Sequence, residues 1–149
     1  MKRILLALLA IIALTSCGNN QSANVRGITK TNQKEYIEIL YFHGKQRCVT
    51  CNAIERLTKE VVDKDFAEQL KSGKVVFKVI DISTKEGEKM ADKYEVTWSS
   101  LFINKWKEGK EARNNMTDFG FSYAKASPEV FKAGVKKKMA EVATATPKN

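Results

Sequence analysis

The chain has 149 residues, three cysteines, one histidine and a formal charge of +9. That length suits one domain with one core, and so few cysteines exclude a scaffold stapled by several disulfides. The basic excess is spread over the whole chain, which reads as a solvated lysine-rich surface or, in the sharper reading, as attraction to anionic lipid or an acidic partner.

Met1-Lys2-Arg3 is a short positive region, and Ile4 to Leu14 is an unbroken apolar run too short to span a membrane. The run ends in Leu14-Thr15-Ser16-Cys17, which resembles the lipobox of bacterial lipoproteins. The alternative is an ordinary secretory signal with a chance cysteine. The lipobox implies a cleaved signal over 1–16 and lipidation of Cys17, with more than one acyl chain needed for stable anchoring. Removing Lys2 and Arg3, two positive charges and no acid, lowers the formal charge from +9 to +7. Residues 17–33 carry Asn, Gln, Ser and Thr without a hydrophobic period, and so read as the lipidated N-terminus and a flexible tether. The expected location is the cell envelope, lipid-anchored on the periplasmic or cell-surface side, with the membrane as a partner and no nucleic acid.

The folded domain is expected over 34–143, with 144–149 as a disordered tail. Tyr36–Phe42 is a predicted strand. From Val49 to Leu70 apolar residues recur near helical spacing, and Ser72-Gly73 stops the helix. Val75–Ile80 is strongly β-prone and suits a buried strand. Ser83, followed three residues later by Glu86, predicts a capping box opening a short helix through Tyr94. Leu101–Trp106 is a third strand, with Trp106 packing at its end. Glu108-Gly109-Lys110 turns the chain into a weak fourth strand near Glu111–Asn114. Residues 114–126 read as irregular or partly helical. Asn115-Met116-Thr117 fits a glycosylation acceptor pattern, which in a bacterial lipoprotein is noise. Ser127-Pro128 predicts a cap with proline at the first helical position, and Phe131, Val135, Met139 and Val142 line one face of a last helix. The order is β-α-β-α-β-β-α, an α/β domain with a central mixed sheet.

Cys48 and Cys51 sit where the first strand gives way to the first helix. With Cys17 assigned to lipid, they form the one remaining pair. Such a close pair closes only a tiny loop and contributes little as a staple, so a chemical role is expected, with an inert disulfide in an interaction domain as the plainer alternative. Two intervening residues in a first helical turn bring the sulfurs together. The helix N-terminus supplies partial positive charge and free N–H groups that favour a thiolate. Cys48, the more exposed, is the expected nucleophile and Cys51 the resolving thiol. Val49-Thr50 occupies the place that tunes the potential. Lys45 and Arg47 either favour the thiolate by their charge or belong to a solvated turn. His43 is a base near the thiols, a third ligand for a soft metal, or a strand-end histidine without a role.

The strand–turn–Cys-Val-Thr-Cys–helix arrangement resembles the active site of thioredoxin-like proteins, and the element order supports this over roughly Tyr36 to Val142. Two segments, Tyr41-Phe42-His43-Gly44-Lys45-Gln46-Arg47-Cys48-Val49-Thr50-Cys51 and Trp98-Ser99-Ser100-Leu101-Phe102-Ile103-Asn104-Lys105-Trp106, more narrowly resemble the small thioredoxin-like lipoprotein subunit of a nitrophenyl-compound (arylarsenical) nitroreductase system. The family's usual proline, facing the dithiol, falls here at Ser100, which puts metal exclusion and substrate docking in doubt. Phe42 stands where the family has a buried acid. Glu38 is on the same strand but out of register with that place, which leaves the proton acceptor for Cys51 open. The resemblance also places Trp98 in the loop facing the dithiol, as a substrate contact or a plain rim aromatic.

Two functions follow. The first is a membrane-tethered thiol–disulfide oxidoreductase whose redox-active disulfide carries electrons without a cofactor. Its redox partner proteins include a polytopic membrane electron-transfer subunit. No Gly-rich dinucleotide fingerprint is present, so nitro reduction itself would need partner subunits. The second is a metal or metalloid module in which Cys48, Cys51 and His43 hold Cu(I), As(III) or Zn.

Overall fold

The computed structural model describes residues 35–145. The expected signal, Cys17 and the tether lie outside the described residues. Among the described residues nine elements follow in order: β1 (Glu35–His43), α1 (Val49–Asp65), α2 (Ala67–Lys71), β2 (Val75–Asp81), α3 (Lys85–Tyr94), β3 (Ser100–Lys107), β4 (Lys110–Ala112), α4 (Thr117–Tyr123) and α5 (Pro128–Thr144).

The strands form one mixed sheet in the order β2-β1-β3-β4. β1 runs parallel to β2 and antiparallel to β3, with Tyr41 between Val79 and Leu101, and β4 pairs antiparallel with β3. The tight β3–β4 connection is made by Glu108 and Gly109, both at positive φ (50° and 78°), the backbone sign that a two-residue hairpin requires. With the dithiol helix and the last helix on one face and α3 on the other, this is a thioredoxin-like α/β fold.

Alternation along β1 divides the interior in two. Ile37, Ile39 and Tyr41 face a core built with Ile54, Leu57 and Val61 of α1 and with Phe131, Val135, Met139 and Val142 of α5. Leu40 and Phe42 face a smaller core with Ala91, Tyr94, Val96 and Phe102. β1 is therefore buried on both sides, which anchors the strand end that carries the dithiol loop. Each large apolar side chain so buried contributes about 1.5–3 kcal/mol. On the α5 side Lys105 is also buried, and it donates to the carbonyls of Ala143 (2.8 Å) and Ala145 (2.7 Å) while pairing with Glu35 (2.7 Å). A cation thus meets the last carbonyls of α5, where the helix dipole favours it.

Several details differ from the sequence reading. The helix expected over Val49–Leu70 breaks at Phe66, whose backbone leaves the helical region (φ −128°, ψ 24°) as its ring packs on the main core. β2 is an edge strand, and Val79 is 44 % exposed. Its β-branched residues favour a strand in either position, and only the strand order decides the burial. The cap of α3 is Thr84, one residue after Ser83. Its Oγ1 accepts the Gly87 N–H at 3.0 Å, while Ser83 bonds Asp81 instead. The end of α3 closes on Glu95 in the left-handed region (φ 55°), where the Val96 N–H reaches back to the Ala91 carbonyl at 3.0 Å. Ser127 precedes Pro128 as expected, but its side chain makes no capping bond. The 114–126 stretch contains the short helix α4.

Candidate active site at the start of a helix

β1 ends at His43, and a four-residue turn delivers Cys48 as the N-cap of α1, in extended backbone (φ −73°, ψ 164°). Its sulfur takes the place that a serine or aspartate oxygen usually fills, since Cys48 Sγ accepts the Cys51 N–H at 3.0 Å. The first turn of α1 holds no acid, so nothing there opposes negative charge on that sulfur. Cys48 and Cys51 are joined as a disulfide with their Cα atoms 5.0 Å apart. Cys48 is exposed and Cys51 is only 7 % exposed. An incoming thiol or disulfide can therefore reach Cys48 while Cys51 waits behind it.

Two residues that the sequence reading did not single out hold this loop. The buried hydroxyl of Tyr41 donates to the Cys51 carbonyl at 2.7 Å, which ties the end of β1 to the first turn of α1. Glu55, one helical turn beyond Cys51, forms an ion pair with Arg47. The Arg47 guanidinium also lies 5.8 Å from the centre of the Tyr41 ring. Arg47 is thus half-buried and paired rather than a free cation or a solvated turn residue. Glu55 was legible as a same-face neighbour of Cys51 by its i,i+4 spacing. Nothing in the pattern announced Tyr41 as more than a strand residue.

The remaining candidates are placed as follows. Lys45 is exposed on the turn. His43 Nδ1 lies 3.0 Å from the Gly44 carbonyl, and its ring centre is 6.3 Å from that of Tyr41. Across the β1–β2 pairing His43 is opposite Asp81, whose carboxyl is held below its usual value by bonds from the Ser83 hydroxyl and N–H, with His43 and Lys45 adding smaller effects. Trp98 is 57 % exposed and stacks on Phe121 with ring centres 5.0 Å apart. Phe121 carried no sequence signal. Arg47, Cys48, Cys51, Trp98, Ser99 and Phe121 line one open groove of about 680 Å³. Ser100 is buried at the start of β3 opposite Phe42, with its hydroxyl donating to the Trp98 carbonyl at 3.2 Å. Phe42 is fully buried in the smaller core. Glu38 is not brought to the dithiol, because its carboxylate bonds Lys78 (2.5 Å) and Trp106 Nε1 (2.8 Å).

Among the described residues, no three or more His, Cys, Asp or Glu side chains are grouped to hold a metal ion, and no helix is long and apolar enough to cross a membrane. A second groove, of about 300 Å³, lies between α1 and α5, where Glu60 and Asp65 meet Lys132 and Lys136. It contains neither cysteine.

No family model matches the chain, and no curated protein matches it. Solved structures do resemble it. A thioredoxin from Thermus thermophilus is 18 % identical over 73 % of this chain and 75 % of its own, with a TM-score of 0.48. The thioredoxin of Fasciola hepatica is 17 % identical over 72 % of this chain and 81 % of its own, with a TM-score of 0.39. A malarial protein is 16 % identical over 70 % of this chain and 97 % of its own, with a TM-score of 0.41.

Proposed function

We propose that this protein is a thiol–disulfide oxidoreductase, tethered to a membrane through lipid on Cys17, that carries electron pairs on Cys48 and Cys51. The observation that carries the reading is the asymmetry of the pair: an exposed cysteine capping the helix, bonded to a buried one a turn later. In the reduced protein the Cys48 thiolate attacks a partner disulfide, forming a mixed disulfide and releasing one partner thiolate. Cys51, on losing its proton, attacks the Cys48 sulfur and releases the second partner thiolate. The partner gains two electrons, and the protein is left with the Cys48–Cys51 bond. The reverse sequence reloads the pair from a donor dithiol.

The finer reading is service to an aromatic nitroreductase assembly, supported by the two segment resemblances around Cys48 and Trp98. Each cycle delivers two electrons, so taking a nitro group to an amine needs several cycles and a partner that does the nitro chemistry. A polytopic membrane subunit with its own cysteine pairs would reload the dithiol.

The test combines three measurements. The purified protein should reduce insulin disulfides and equilibrate with glutathione at a defined potential. Cells labelled with a fatty-acid analogue should show incorporation that Cys17→Ser abolishes. Nitrophenyl reduction by cells carrying the gene and its neighbours should fail with Cys48→Ser. A purified protein inert toward disulfides that holds stoichiometric metal would favour the binding module instead.

A further inference from the structure

Resting on the reading of Cys48 as the attacking thiol, we propose that Arg47 and Glu55 are a pair of positioning residues that sets the reactivity of the dithiol. Glu55 holds the guanidinium of the residue that precedes Cys48, on the groove that Cys48 also lines, and offsets its charge, so the helix terminus, and not a free cation, governs the thiolate.

Three observations carry this. Arg47 immediately precedes the cap, and it shares the groove with both cysteines. Its guanidinium is held from two directions, by the Glu55 carboxylate and by the face of the Tyr41 ring. The side chains of Arg47 and Glu55 are only 28 % and 26 % exposed, and Arg47 Nε is buried without a partner. Arginine cannot shed its proton in response to such burial. In such a setting salt screens weakly. Losing one partner leaves the other's charge acting on the neighbouring sulfur.

The pairing makes a signed prediction that a merely structural role does not. Neutralising Glu55 frees a cation beside Cys48, favours the thiolate and makes the dithiol more oxidising. Neutralising Arg47 leaves a carboxylate there and does the opposite. Removing both charges returns the site close to its starting state.

The experiment uses the reduced full-length chain and three variants, Glu55→Gln, Arg47→Gln and the double substitution. Alkylation of Cys48 by iodoacetamide is followed against pH, with the modified peptide quantified by mass spectrometry so that Cys17 and Cys51 do not contribute. The potential is read by equilibration with glutathione. The Glu55→Gln midpoint should fall and the Arg47→Gln midpoint rise, each by about half a pH unit, with the double variant within about 0.2 of the parent, as for one unit charge changed at short range under partial screening. The potentials should move in matching order. Single variants that shift in the same direction, do not shift, or are not cancelled in the double variant overturn the proposal while leaving the oxidoreductase reading intact. A parent Cys48 that alkylates no faster than an ordinary thiol overturns both.

Discussion

The hydroxyl of Tyr41 donates to the main-chain carbonyl of Cys51 across 2.7 Å. A residue near the end of β1 thereby holds the first turn of α1, and the buried sulfur is fixed through its own backbone. Tyr41→Phe keeps the ring and removes the bond. It should cost about 1–2 kcal/mol in urea unfolding of the oxidised protein, the usual range for a buried hydrogen bond lost.

The two cysteines should fail in different ways. Cys48→Ser should abolish insulin reduction. Cys51→Ser should still attack but stall, accumulating mixed disulfides visible by mass spectrometry under non-reducing conditions. If both variants turn over like the parent, the dithiol is not the working group.

Two glycines separate packing from turn flexibility. A Cβ on Gly87 would fall 1.9 Å from the Asp81 carbonyl oxygen, whereas one on Gly44 would meet nothing within 4 Å. Gly87→Ala must push the first turn of α3 off the end of β2 and should lower stability by about 1–3 kcal/mol. Gly44→Ala, on the dithiol turn, should stay within about 0.5 kcal/mol of the parent. Thermal melts of the two compare them directly.

Acid should unfold the domain partly through Glu111. Burial works to raise its pKa, but bonds from the Tyr94 hydroxyl and Arg113, with the charges of Lys93 and Arg113, leave it below the usual carboxylate range. Burial, with the same contact second, pushes the Tyr94 phenol up. The unfolded chain therefore takes up a proton at Glu111 before the folded one does. The stability from this group is complete above the ordinary glutamate value of about 4.3 and is lost as pH falls through the lower folded value. Glu111→Gln should reduce stability at neutral pH by about 1–3 kcal/mol, and its stability should fall less steeply than the parent's on acidification below that range.

Much of the fold was legible because its signals are local. The apolar spacing of Phe131, Val135, Met139 and Val142 marks one face of α5, and all four are buried in the main core. The Glu108-Gly109 turn follows from the positive φ that a tight hairpin needs. The break at Phe66 was not legible, because an aromatic residue in helical phase shows nothing of the pull from the core beneath it. The move of the α3 cap from Ser83 to Thr84 was equally hidden. Both hydroxyls suit a cap, and the choice was made by Asp81, which bonds Ser83 and draws Thr84 against its carbonyl.

By itself the sequence determined that two thiols stand a turn apart where a strand becomes a helix; that the first of them caps the helix is a finding of the structure. The spacing and the junction depend on neighbours within a few residues, where backbone geometry leaves little choice. Only the tertiary structure decided that β2 lies at an edge, that Arg47 is bound to Glu55 over the Tyr41 ring, and that Trp98 stacks on Phe121 beside the dithiol. Each of those contacts joins parts of the chain that meet only when the sheet order and helix packing are set, and hydropathy along the chain carries no information about which charge finds which partner.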